Sequence, residues 1–346
     1  MSTFKVDRTK ASFITEKVKQ RISELCHNNK RFLPYLNSPS KEMFWNLIKN
    51  EPIDVKMAIA LMLGERVDIF AGCKVFPFEF FTCRAVLEFN LPNSIEEIKG
   101  VNGQSLPNLS IIRISNDNKF FSLIDGALFN KKSKRILCYP AKRTNKEYSI
   151  PKNVKTLVKY SFANNEYIES ISISEGLTKI GMHCFSGCTA LKNINIPSTV
   201  KDISRSAFRD DCSLISIVIP NAIKLIKDNL FDGCSKLNLI TFGNSVEEIG
   251  FDAFKNCSSL TSVYLPDSVR YINAYAFHMC KSLVKVSLPK DIKRIDGSAF
   301  AKCNLLTAID YRGTMEQWRT VSTRYKPINY KNKIKVIHCI DGDIKI

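Results

Sequence analysis

The residues of this 346-residue chain that could do chemistry are four histidines, twelve cysteines and a local excess of lysine and arginine. His27, His183, His278 and His338 are scattered; His183 stands two residues before a recurring phenylalanine and His278 one residue after one, so the recurrence does not stack them into a site. No paired carboxylates, P-loop, Gly-x-Ser-x-Gly or His-Glu-x-x-His pattern accompanies them. The chain therefore offers no phosphate cradle, no nucleophile elbow and no zinc-activated water. It is expected to be non-enzymatic, with no catalytic, cofactor-binding or metal-ligating residues.

The cysteines are periodic. Cys83, Cys188, Cys234, Cys257, Cys280 and Cys303 each stand three residues after a recurring Phe, and Cys212 stands four after one. A residue returning once per repeat beside core aliphatics is read as a small buried hydrophobe. Zinc sites need tight pairs such as C-x2-C, whereas the closest pair is Cys184 and Cys188, without a histidine in register. Reduced, buried thiols suit a cytosolic compartment.

What must position these residues is a repeat of fixed length. Phe162, Phe185, Phe208, Phe231, Phe254, Phe277 and Phe300 are spaced by 23 residues. Counting from each Phe, the sixth residue is aliphatic (Ile168, Leu191, Leu214 and onward) and the ninth is Ile or Val. The eleventh is large and apolar, and Ile180, Ile203, Ile226, Ile249, Ile272 and Ile295 hold the eighteenth place. Such a period predicts a stacked solenoid whose rungs are stable only against their neighbours. The ninth and eleventh side chains point inward from a short strand, and successive strands pair in parallel on one face. Pro197, Pro220, Pro266 and Pro289 follow and end that ladder, because proline has no N–H to donate. The Ala-Phe pairs, such as Ala207-Phe208 and Ala253-Phe254, form the opposite wall.

The array extends back to Phe80, through Val86, Phe89, Leu91, Ile95 and Ile98, then through a degenerate unit with Gly103 in the Phe place. The next unit, residues 116–150, is enlarged, and its apolar runs around a polar turn at 130–134 read as a β-hairpin. Residues 1–76 carry no repeat; amphipathic spacing predicts short helices near 12–28, 40–48 and 55–63, forming either a cap on the first rung or a separate binding domain. Residues 77–311 are thus the solenoid. Residues 312–346 form a C-terminal cap, with a helix near Met315–Val321, Trp318 against the open end, a strand at 335–339 and a turn at Asp341-Gly342.

The pattern Ile-Pro-x-x-Val-x-x-Ile-x-x-x-Ala-Phe-x-x-Cys-x-x-Leu-x-x-Val resembles the BspA-type leucine-rich repeat. So do Ile124-Asp125-Gly126-Ala127-Leu128-Phe129 with Cys138-Tyr139-Pro140 in the enlarged unit. The ending, Tyr311-x-Gly313-Thr314-x-x-Gln317-Trp318 with His338-Cys339-x-Asp341-Gly342, is similar to that family too. The resemblance covers about residues 77–345. It implies a mostly β leucine-rich-repeat solenoid that binds proteins, often as a surface adhesin of bacteria or parasitic protists. The helical N-terminal region is not part of the family pattern.

Two surfaces are candidates for contact. The eighth and tenth residues of each rung point outward from the strands; Asn193, Asn195, Val218, Leu239, Thr241, Tyr264 and Lys285 form a small, nearly uncharged face with one aromatic anchor. This face is expected to bind a protein partner, in an adhesin-like or host-interaction role. The alternative is a nucleic acid or another polyanion held by the basic stretch 130–146 and the basic termini. The net charge of +18 is unevenly spread: residues 161–311 carry sixteen basic and fifteen acidic residues, whereas 116–160 carry eleven basic and three acidic. Lys131, Lys132, Lys134, Arg135, Lys142, Arg143 and Lys146 supply most of that local excess and would give salt-dependent affinity. No nucleic-acid-binding motif accompanies them. The N-terminus shows no secretory pattern, and the longest apolar run, Met57 to Leu63, is too short to span a bilayer. A cytoplasmic protein is expected as written, with surface display by a non-standard route as the other localisation.

Overall fold

Each rung begins with a strand whose alternate side chains are apolar. In Ser170–Ile173 the pattern puts Ile171 and Ile173 inside and leaves Ser172 exposed. The computed structural model describes residues 66–68, 74–77, 86–99, 106–324 and 327–346. The helices expected within residues 12–63, together with His27, Cys83, Phe80 and Gly103, lie outside the described residues. Contacts divide the chain into two units: residues 1–132 with 137–143, and residues 133–136 with 144–346.

In the first unit, strands Arg66–Asp68, Glu88–Leu91 and Ile111–Ile114 pair in parallel, and Val75–Pro77 pairs in parallel with Glu97–Lys99. Rung geometry is therefore present from Arg66 onward. Phe89, Leu91, Ile95, Leu109, Ile112 and Phe121 pack as one core. Asn118, buried beneath it, donates to the Asn93 and Ile95 carbonyls and accepts from the Phe120 and Phe121 N–H groups. A hairpin not announced by the hydrophobic pattern pairs Phe121–Ile124 antiparallel to Ala127–Asn130. Asp125 (φ 46°) and Gly126 (φ 85°) make its turn, both left-handed as a two-residue hairpin loop requires. A Cβ at Gly126 would lie 2.5 Å from the Arg143 guanidinium carbon, a flexible side-chain end that can move aside, so it is the left-handed backbone that favours glycine here.

The second unit repeats with a period of 23 and carries two parallel strips, one more than the sequence pattern predicts. The first runs through Glu147–Ile150, Ser170–Ile173 and Asn193–Ile194, then Ser216–Val218 with Leu239–Thr241, and then Ser262–Tyr264, Lys285–Leu288, Ala308–Tyr311 and Val336–Cys339. Register is constant, as in Val263↔Val286. After this strand the proline carbonyl accepts the N–H three residues on (Pro220 from Ile223, 3.1 Å), turning the chain. The second strip then forms around the inward Ile of the eighteenth place, pairing Lys179–Ile180 with Asp202–Ile203 and Glu248–Ile249 with Tyr271–Ile272.

The third wall is made of turns. Two residues after each Phe, and two before every Phe but Phe300, the backbone is left-handed, as at His183 (φ 51°) and Gly187 (φ 76°). Between them the Phe N–H donates to the next rung, Phe231 to the Ala253 carbonyl at 2.8 Å and Phe277 to that of Ala299 at 2.8 Å. The Phe rings stack with centroids 5.4 Å apart for Phe208 and Phe231 and 5.2 Å for Phe254 and Phe277. Near-parallel rings at the rung spacing are what a one-residue column in a parallel stack imposes.

At the C-terminal end, the helix Met315–Thr320 opens on a capping box of Thr314 and Gln317. Trp318 meets Tyr311 edge-on at 5.1 Å and remains half-buried. Val336–Cys339 and Gly342–Lys345 close an antiparallel hairpin at Asp341-Gly342, where the sequence signals the turn.

Candidate protein-binding face

The outward side chains of the first strip depend on the inward ones. Because Ile217, Ile240 and Val263 face the core, Val218, Leu239, Thr241 and Tyr264 must face away. Val218, Leu239 and Tyr264 are 60%, 58% and 64% exposed, respectively. Ile215 and Val284, at the seventh position of their rungs, are exposed as well and extend the apolar area. They escaped the eighth-and-tenth pattern because they lie just before their strands.

Tyr264 is held in place. The Arg312 guanidinium sits over its ring, 4.3 Å from the centroid. Arg312 donates in turn to the Ser287 hydroxyl at 2.9 Å, the Leu265 carbonyl at 2.7 Å and the Asp267 carboxylate at 2.8 Å. Its hydrogen bond and charge hold the Asp267 carboxyl below the usual carboxylate range. Arg312 occupies the twelfth place of its rung, where six other rungs carry proline. That departure is the one sequence signal of its role.

The polar members of the face differ in how they are used. Asn195 turns its carboxamide onto the end of the neighbouring strand, accepting from the Ile173 N–H at 2.8 Å and donating to the Ile173 carbonyl at 3.1 Å. Its side chain thus stands in for backbone pairing beyond Asn193–Ile194. Asn193 and Thr241 are exposed, and Lys285 pairs with Asp310 at 3.8 Å.

The basic stretch is partly committed to local structure. In the first unit, Lys131 donates to the Asn118 carbonyl at 2.6 Å, and Arg143 lies over Gly126; Lys132 is exposed and Lys142 half-buried. In the second unit, Lys146 pairs with Glu169 at 3.0 Å, and Lys134 and Arg135 are exposed. Lys192 and Lys146 together lower the Glu169 carboxyl.

The thiols of Cys188, Cys234, Cys257, Cys280 and Cys303 are buried, each donating to the Phe carbonyl of the preceding rung, as Cys234 to Phe208 at 3.0 Å. They are therefore linking donors as well as small core residues. Burial pushes the Cys184 thiol up to about 12, far from thiolate chemistry at neutral pH. Where Cys212 slips one place, Asp211 fills the column; its Oδ1 accepts from the Cys188 N–H at 2.9 Å, and its buried Oδ2 has no hydrogen-bond partner. Burial holds this carboxyl well above the usual carboxylate range. The described histidines meet single neighbours: His183 stacks on Tyr160, His278 meets the Tyr275 edge, and His338 bonds Asp343. Among the described residues no three His, Cys, Asp or Glu side chains converge as metal ligands, and no helix is long and apolar enough to cross a membrane.

Parallel strips, inward Leu, Ile, Phe and Cys columns and a period of 23 define a leucine-rich-repeat solenoid. The sequence profile of the BspA-type leucine-rich repeat region matches six copies over residues 138–214 and 201–325, and the chain belongs to this family. Its members are generally protein-interaction scaffolds and typically non-enzymatic. Among solved structures, a leucine-rich repeat protein from Eubacterium ventriosum is similar at 25% identity and TM-score 0.53, over 79% of this chain and 62% of that one. The pneumococcal vaccine antigen PcpA is similar at 20% identity and TM-score 0.54, over 78% and 60%. A leucine-rich repeat protein from Bacteroides ovatus is similar at 20% identity and TM-score 0.52, over 79% and 77%. The chain thus spans about three fifths of the first two. No curated protein matches it.

Proposed function

We propose that the chain is a non-enzymatic scaffold holding a protein partner on the strand face around Val218, Leu239, Thr241 and Tyr264, with Asn193 and Lys285 at its margins. The observation that carries this reading is Tyr264, which is 64% exposed yet fixed beneath Arg312. An aromatic anchor ordered before contact loses little conformational freedom on binding, and such residues dominate interface energies. The adjacent apolar side chains supply area that a partner would remove from water. An adhesin-like role, with the partner on a host surface, is the specific form of this proposal.

The test is capture on immobilised protein, comparing the natural chain with a folded Leu239→Asp/Tyr264→Asp variant. A partner identified by mass spectrometry should be retained by the first and lost from the second. Equal retention on both would place binding elsewhere.

A further inference from the structure

The turn wall of the last rungs carries an open cleft of about 320 Å³, on different elements from the strand face. Its origin is a column. The N–H two residues after each Phe donates to the carbonyl of the residue just past the next Phe: Gly233 to Lys255 at 2.9 Å, Asn256 to His278 at 2.9 Å and Met279 to Ala301 at 3.0 Å. Lys302 continues the series by donating to Lys331 at 2.6 Å. Lys331 comes from the C-terminal segment, where no Phe marks the rung, yet it takes the place the period would assign. The column therefore reads Lys255, His278, Ala301, Lys331, with neighbours about 4.8 Å apart. Ala301 ends at its Cβ, so the column dips there and forms the floor, and Lys302 stands at its side.

Three ammonium groups and one imidazole line this dip against a single carboxylate, Asp252, which pairs with Lys255 at 3.4 Å. Lys302 and Lys331 make no ion pair with a described residue. We propose that the cleft binds a tetrahedral oxyanion, the phosphoryl or sulfuryl group of an ester, with Lys302 and Lys331 as charged donors and His278 as the third. The exposed Tyr275 ring, which meets His278 edge-on at 5.3 Å, walls the cleft and would flank the organic part of the ligand. The local field agrees: after burial, it is Lys302 and Lys255 that most lower the His278 imidazole, with Lys331 adding to them and Asp252 opposing. An anion seated among the lysines reverses that field, and by linkage it favours protonated His278.

The experiment follows the His278 ring resonances through a pH titration at constant ionic strength, with sodium chloride replaced by inorganic phosphate or by sulfate. His278→Gln assigns the signal, and His183 and His338 are internal references. Saturating anion should raise the His278 midpoint by roughly one unit, and Lys302→Ala/Lys331→Ala should remove most of that shift. Should the double variant melt early, Lys302→Gln alone, which keeps the backbone donor to Lys331, should at least halve the response. A stronger response to phosphate indicates a phosphate ester, and a stronger one to sulfate a sulfate ester. If His278 moves no more than His183 and His338, or moves equally in the lysine variants, the site does not exist.

Discussion

The inward columns of the second unit and its outward strand positions are built from the same rungs and obey different rules. Inside, Phe stacks on Phe at 5.2–5.4 Å from Phe185 to Phe300, and thiols link one rung to the next. Outside, successive rungs place Val218, Leu239 and Tyr264 beside serines, asparagines and Lys285 without order. A buried column in a parallel stack is its own complement, so one residue that fits its copy above and below is favoured at every rung. An outward position meets water, and the stack asks little of it. Repetition therefore marks scaffold, and loss of repetition marks surface left to other uses.

The sharpest way to break the inward order is Phe231→Ala, which removes contacts with two stacked rings. It should destabilise the chain by about 3–5 kcal/mol, read as a lower midpoint in chemical unfolding. A loss under about 1 kcal/mol would mean that the column contributes little beyond filling space.

Asp211 tests the same column from the other side. In the unfolded chain its carboxyl titrates near ~3.9, whereas in the folded chain burial, with Asp210 adding to it, holds the value well above that range. The penalty is thus absent below the unfolded value, grows as pH rises toward the folded value, and is complete above it. Asp211→Asn should raise stability by on the order of 1–3 kcal/mol on the alkaline side of that window, and scarcely at all in strong acid. Asn165 shows that the substitution suits the column: it holds the equivalent place, buried, with its Oδ1 accepting from the Tyr167 and Ile168 N–H groups. A pH-independent gain would show that the carboxyl titrates alike in the folded and unfolded chains, so that burial does not perturb it.

Arg312→Ala probes the boundary between the two regimes. Loss of the cation–ring contact should cost about 0.5–2 kcal/mol and weaken partner capture less than loss of Tyr264 itself. Unchanged capture would show that the pinned ring geometry is irrelevant to binding. The Leu239→Asp/Tyr264→Asp change forfeits the same cation–ring contact and little else in the fold, so it should cost no more than Arg312→Ala, within about 2 kcal/mol, while abolishing capture. A large stability loss there would mean that the outward face belongs to the scaffold after all.

The 23-residue period alone determined much of this protein: a stacked solenoid, its inward residues and the end of first strands at proline; beyond the period, Asp341-Gly342 marked a turn. These follow from local pattern and from the need of each rung to bury what its neighbour buries. The second parallel strip was less legible, because only two or three residues per rung pair there and one inward Ile gives no alternation to read. The hairpin turn at Asp125-Gly126 was visible as a dipeptide but overshadowed by the lysine-rich turn after it. Tertiary structure decided the rest. Arg312 reaches Leu265 across 47 residues, Asn195 completes a strand it does not belong to, and Lys331 enters a column to which no Phe assigns it. Each of these depends on a side chain or backbone group meeting another rung outside the repeat register, and periodicity reports only contacts that every rung makes alike.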